Sequence, residues 1–171
     1  DLADKLTEVG LGVEKISKKG NETIFEFEIT PNRPDCLSII GIAREVAAIE
    51  SKKIKFPKLK TTLKPTGKIL PLTITTNPKI NPRFTGIIIS GITVKKSPAW
   101  LKEKLESVGQ RSISNIVDIT NYVMLELGNP IHAFDYDRLA GHVMKVHLTK
   151  SGEEFKSVDG ISYNLPRDAV V

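Results

Sequence analysis

Along TIFEFEIT, residues 23 to 30, Phe25, Phe27 and Ile29 alternate with Glu26 and Glu28, the two-residue period of a half-buried strand. Beyond it Ile39, Ile42, Ala43, Val46 and Ala47 recur at helical spacing, so the spacing predicts a helix to about Ile49, with Asp35 or Ser38 placed to cap its first turn. Between the two lies TPNRPD. Pro31 and Pro34 each fix φ and push the preceding residue, Thr30 and Arg33, into extended backbone. The stretch therefore reads as strand, rigid elbow, helix, an architectural device in which Arg33 pairs with Asp35 or a carbonyl. Upstream, ADKLTEVG predicts a helix closed by Gly10, and GVEKI a β segment.

After residue 68 the pattern restarts. LPLTITTN reads as a strand, and RFTGIIISGITV as a second one whose nearly continuous isoleucine predicts burial on both faces. SPAWLKEKLESVG predicts a helix with Ser97 as N-cap, Pro98 at the first helical position, an apolar stripe of Trp100, Leu101, Leu105 and Val108, and Gly109 as terminator. A further helix runs from about Asn115 with Ile116, Ile119, Thr120, Val123, Met124 and Leu127 on one side and Gly128 as the stop. Strand alternation returns at HVMKVHLT, with Met144, Val146 and Leu148 inward. EEFKSVDGISYNL reads as a hairpin turning at Asp159-Gly160, a pair that tolerates the positive φ of a type I′ turn. The terminal DAVV reads as a strand just begun, which suggests a fragment of a larger domain. Helical and strand patterns are mixed without a repeating βαβ order, so the expected fold class is α+β: a small helical and β N-terminal domain, then a β-rich domain with packed helices.

Composition narrows the picture modestly. The chain has 171 residues, 40% hydrophobic and 26% charged, with no apolar run of membrane-spanning length and no N-terminal signal pattern, so a cytoplasmic location is the default expectation. The lone Cys36 excludes an internal disulfide and a multi-cysteine zinc site. A net charge of +5 permits a polyanionic partner such as RNA. Much of it lies in KKIKFPKLKTTLKPTGK, residues 52 to 68, whose seven lysines and two prolines read as a linker or surface strap and mark a domain boundary.

Candidate chemistry is sparse. His142 and His147 are five apart on an expected strand, and an odd separation sends them to opposite faces, so they do not share an ion. Neither GxxxxGK[ST] nor GxGxxG, HExxH, an EF-hand loop or GxSxG occurs. What remains is NYVMLELGNPIHAFDYDRL, residues 121 to 139. His132 sits in the loop after Gly128 and the stiff Asn129-Pro130 turn, with Asp135 three residues on, and the spacing fits a ring hydrogen-bonded to a carbonyl or to Asp135 as well as a functional imidazole. Phe134 reads as core. Asn121, unfavourable in mid-helix, either caps a neighbouring backbone group or points into a pocket.

TPNRPDCLSIIGIAREVAAI, followed much later by RSISNIVDITNYVMLELGNPIHAFDYDRL, closely resembles the β subunit of bacterial phenylalanine-tRNA ligases, in motif, order and separation, over nearly the whole chain. The resemblance implies an assignment: residues 1–55 as the B1-like scaffold domain without the oligonucleotide-binding module that many members insert, 56–68 as linker, and 69–171 as the front part of the B3/B4 editing domain. It also implies an aminoacyl-tRNA synthetase of α2β2 assembly that uses ATP and magnesium to attach phenylalanine to tRNA(Phe) for protein biosynthesis. The synthetic site lies in the α subunit, so no cofactor is expected on this chain.

In that family the B3/B4 domain hydrolyses tyrosine wrongly attached to tRNA(Phe). A pocket shaped for a Phe ring rejects an isostere bearing one extra hydroxyl only about 100-fold, and accuracy beyond that calls for a second sieve. By motif, Thr120, Asn121, Pro130 and His132 match positions lining the editing pocket. His132 would position the ester or its attacking water, with Asn121 and Thr120 as polar wall. The family's hydroxyl-reading glutamate and a glycine-rich segment lie past Val171, so the 171-residue piece alone is expected to be inactive. The alternative from another class is a non-enzymatic RNA-binding scaffold using the lysine strap, whose affinity would fall steeply with salt whatever the aminoacyl group.

Overall fold

The computed structural model describes residues 1–56, 67–157 and 160–171. Helices and three small sheets combine into an α+β fold, as the patterning predicts. Two compact units interleave along the chain, one from the described residues of 1–63 with 93–133, the other from those of 64–92 with 134–171.

The first unit begins with α1 (Leu2–Glu8), whose N-cap Asp1 accepts the Asp4 N–H at 3.0 Å. Gly10, at φ +91°, turns the chain into β1 (Gly12–Lys19), which pairs antiparallel with β2 (Glu22–Glu28). Phe25, Phe27 and Ile29 are half-buried and Glu26 and Glu28 exposed, as the alternation requires. After the elbow comes α2 (Ile39–Ile49), capped by Ser38, whose Oγ accepts the Gly41 N–H at 3.1 Å. Asp35 is not the cap. Leu6, Leu11 and Cys36 form the core, with Val13, Phe27, Ile29, Ile42, Val46 and Ile49 packed around it. Leu6 and Leu11 are each 1% exposed, so each contributes about 1.5–3 kcal/mol of apolar burial.

The same unit holds α3 (Ala99–Ser107) and α4 (Asn115–Leu127). Leu101 and Leu105 are buried, but Trp100 and Val108 are about half exposed, so the stripe is narrower than its sequence suggests. Trp100 packs edge-on against Tyr122, ring centroids 5.6 Å apart. Ser97 does not cap α3. Pro98 holds the N-cap position and the Ser97 hydroxyl is used elsewhere. On α4, Ile116, Val123 and Met124 are half-buried while Ile119 and Leu127 are exposed. Gly128 ends the helix at φ +79°, as expected of a glycine stop.

In the second unit β3 (Thr73–Thr75) pairs in parallel with β4 (Val143–Lys145), and β5 (Glu153–Lys156) forms an antiparallel pair with β6 (Ser162–Leu165). The two arms of the hairpin thus pair as expected; Asp159, expected at its turn, lies outside the described residues, as do residues 57–66 of the lysine-rich strap. The terminal segment also pairs, through a Leu148–Val170 bridge and reciprocal backbone bonds between His147 and Val171. Buried Thr149 locks it, donating its hydroxyl to Pro166 O at 2.6 Å and accepting the Ala169 N–H at 2.9 Å.

RFTGIIISGITV departs from expectation. Among the described residues it makes no strand, and Ile87 and Ile89 are 74% and 66% exposed. Gly86 lies against β3, where a Cβ would approach Ile74 Cδ1 to 3.1 Å, so the segment passes the sheet without entering its ladder. Isoleucine favours a pleated, half-buried surface and cannot create the ladder partner that a strand requires. No helix among the described residues is long and apolar enough to cross a membrane.

Candidate active site

Helix α4 and the segment leaving it hold the four candidate residues, Thr120, Asn121, Pro130 and His132. Ser114 caps the helix, its Oγ accepting the Val117 N–H. Asn115 clamps the segment before α3: its Oδ1 accepts the Lys95 N–H, its Nδ2 donates to Thr93 O, both at 3.0 Å, and its N–H donates to Lys95 O at 2.8 Å. Asp118 is fully buried. Its Oδ1 accepts the Ile113 N–H at 2.8 Å, while Oδ2 accepts the hydroxyls of Ser97 and Ser112. Burial alone would push this carboxyl up; the Ile113 N–H, the two serine hydroxyls and the Ser114 N–H together outweigh that cost and hold it below the ordinary carboxylate value.

Thr120 and Asn121 follow on the same helix, both half-buried. Thr120 donates its hydroxyl to Val117 O at 2.7 Å, which leaves its oxygen lone pairs as acceptors. Past Gly128, Pro130 and His132 are exposed. The four candidates therefore share one compact unit, two on a helix with a tied N-terminus and two on the segment that leaves it. Asp135 caps the next turn by accepting the Asp137 N–H at 3.1 Å. Phe134 is 58% exposed, so it is not core as its sequence context suggests.

A cleft of about 160 Å³ in this unit lies elsewhere, between Ile39, Ile40 and Ala43 of α2, Ile54 and Lys55, and Glu126 and Leu127 at the end of α4. None of the four candidates lines it. In the second unit His142 precedes β4 at φ +54° and stacks on Tyr136, centroids 4.1 Å apart, while His147 follows β4 and contacts Glu153 at 2.9 Å. The two histidines have different partners, and neither lies within a strand, so the alternation expected to separate them does not apply.

Among the described residues, Asp35, Cys36 and Glu45 offer three metal-ligating atoms within 4.8 Å of one another. Arg33 already occupies the middle. Its Nη2 donates to Asp35 Oδ2 at 2.9 Å, Cys36 Sγ at 3.1 Å and Glu45 Oε1 at 2.7 Å, so a divalent cation would have to displace the guanidinium. These residues do not fit magnesium. The pairing of Arg33 with Asp35 expected of the elbow is present, and Glu45 extends it into α2.

Patterning marks Ser97 only as a helix cap and does not mark Asp118 or Ser112. The visible signal was an acidic residue in the first turn of a helix, which ordinarily means only a favourable dipole contact. Ser97 lies 21 residues from Asp118, outside any helical or strand period.

The B3/4 domain family model matches residues 80–171, more than half the chain and including α3, α4 and the strands from β4 onward. The chain belongs to the B3/4 domain family. It is 45% identical over 157 residues to a phenylalanine–tRNA ligase beta subunit of Geobacter metallireducens, covering 90% of this chain and 20% of that protein. Beta subunits of the same ligase from Thermotoga maritima and Carboxydothermus hydrogenoformans are 42% and 39% identical, over 92% and 95% of this chain and 20% of each relative. The resemblance carried by the two motifs is thus borne out. The chain spans about a fifth of the length of these curated relatives.

Proposed function

We propose that this chain is part of a phenylalanine-tRNA ligase beta subunit and contributes Thr120, Asn121, Pro130 and His132 to a site that hydrolyses mischarged Tyr-tRNA(Phe). Residues 1–55 serve as the scaffold domain, 56–68 as the linker and 69–171 as the front of the editing domain. The complete enzyme is an α2β2 assembly, cytoplasmic, binding tRNA(Phe) and charging it with ATP and magnesium at a site carried by the alpha subunit. The observation that supports the reading most directly is the similarity, at 39–45% identity, to beta subunits across 90–95% of the chain.

The reaction asks little of the protein. A water oxygen bonds to the ester carbonyl carbon and the carbonyl π pair moves onto its oxygen. As that intermediate collapses, the carbon–oxygen bond to the ribose breaks and the water proton ends on the ribose oxygen, leaving tyrosine and uncharged tRNA. An oriented water and donors to the developing oxyanion suffice for an activated ester. His132, on a rigid segment after a proline, orients the water or the ester; Thr120 and Asn121 supply polar wall from the helix.

The test uses the full-length beta subunit assembled with its alpha subunit. His132→Ala is expected to lower the rate of Tyr-tRNA(Phe) hydrolysis about 100-fold and to leave Phe-tRNA formation intact. Hydrolysis at the unaltered rate would overturn the assignment of His132, and no hydrolysis by the unaltered enzyme would overturn the editing reading.

A further inference from the structure

We propose that Asp118 is a positioning residue of this hydrolytic site, setting the rotation of α4 and thereby the placement of Thr120 and Asn121. The inference rests on the editing reading above. Asp118 is fully buried, and its carboxylate accepts from neutral donors, the Ile113 N–H and the hydroxyls of Ser97 and Ser112. No Lys, Arg or His among the described residues forms an ion pair with it. A buried charge without a counterion is a costly choice for simple packing, since an apolar side chain of similar volume ordinarily serves stability as well or better.

The donors come from two places and converge on a third. Ser97 precedes α3, Ser112 and Ile113 belong to the link between α3 and α4, and Asp118 itself lies in the first turn of α4. Three bonds on two oxygens, from the residue before α3 and from the link, tie the first turn of α4 at fixed points and so restrain its rotation, which apolar contacts along the axis do less well. Thr120 and Asn121 follow by two and three residues, within the same turn. Side-chain tips lie about 5–6 Å from a helix axis, so a rotation of about 20° moves them by about 2 Å. A misplacement of about 1 Å at a hydrolytic centre costs on the order of 100-fold in rate. Asp118 therefore acts through the helix, without touching substrate.

The experiment uses the full-length beta subunit assembled with its alpha subunit and steady-state hydrolysis of Tyr-tRNA(Phe), with Phe-tRNA formation as the measure of assembled enzyme. Asp118→Ala is expected to lower kcat for hydrolysis about 30-fold with KM within about twofold, and Asp118→Asn, which keeps the acceptor for the Ile113 N–H, to recover to within about threefold. Should Asp118→Ala yield no assembled enzyme, the Ser97→Ala, Ser112→Ala double variant is read instead, with the same split between kcat and KM at about 10-fold. An unchanged kcat, a rise in KM alone, or an Asn variant no better than Ala would overturn the positioning role while leaving editing itself in place. No hydrolysis by the unaltered enzyme would overturn both.

Discussion

Two turns in the first unit solve one problem in opposite ways. The elbow at Thr30–Leu37 and the link at Gln110–Ser114 each deliver the chain into a serine-capped helix, and each is tied down by an aspartate. At the elbow the tie is an ion pair near solvent: Arg33 bridges Asp35 and Glu45, and Asp35 is 54% exposed. That proximity holds the Asp35 carboxyl down to about 2, first through the hydrogen bond from Arg33, and raises the Arg33 guanidinium. At the link the tie is a buried carboxylate fed by neutral donors. Charge pairing near water is weakened by salt and forgiving of geometry; neutral donors to a buried anion are insensitive to salt and demand exact placement. The forgiving device sits under the scaffold helix, and the demanding one under the helix carrying Thr120 and Asn121.

The comparison breaks most sharply at Gly41. An added Cβ there would lie 1.8 Å from Asp35 O and 3.1 Å from Cys36 Cα, both backbone. Gly41→Ala should therefore force α2 away from its elbow at a cost of about 4 kcal/mol, while sparing the hydrogen bonds to Asp118. Chemical denaturation of Gly41→Ala beside the unaltered chain checks this. Asp118→Ala comes next, at about 3 kcal/mol, because it strands the Ile113 N–H and two hydroxyls in a dry site. The serine caps rank lower: Ser38→Ala and Ser114→Ala should each cost about 1 kcal/mol in the same measurement, and near-equal losses would show the caps to be interchangeable where the aspartates are not.

The smallest effect sharpens the electrostatic contrast. Asp35 and Asp118 both ionise more readily folded than unfolded, so each adds stability above the ordinary carboxylate value near 3.8, lost as pH falls through the folded value, about 2 for Asp35. Thermal melts between pH 6 and pH 2 should show both losses at low salt. About 1 M salt should erase the Asp35 part, as should Arg33→Ala, and leave the Asp118 part. A salt-insensitive acid transition that survives Asp118→Asn would contradict the assignment.

Much of this architecture was legible as periodicity. The strand that bears Phe25 and Phe27, the four helices and the glycine stop at Gly128 follow from spacing and from residues whose preferences act within one turn. Ser38 as the cap of α2 and Arg33 as the anchor of the elbow are local too, reaching at most 12 residues. The isoleucine run, by contrast, has every propensity of a strand and makes none among the described residues, because a ladder needs a second chain segment that no local pattern can supply.

The candidate site divides along the same line. His132 and Asn121 stood out through motif and through their cost in a helix or loop. Asp118 did not, since an acidic residue in a first helical turn looks the same whether it faces water or three buried donors. What one strand of letters decided here is which stretches coil, which extend and where each stops, because those outcomes depend on neighbours a turn or a pleat away. Only the folded chain decided that Ser97, just ahead of α3, would meet an aspartate 21 residues on rather than cap its helix, for hydrogen-bond partners are selected by approach in space and by the exclusion of water, and neither is written in sequence separation.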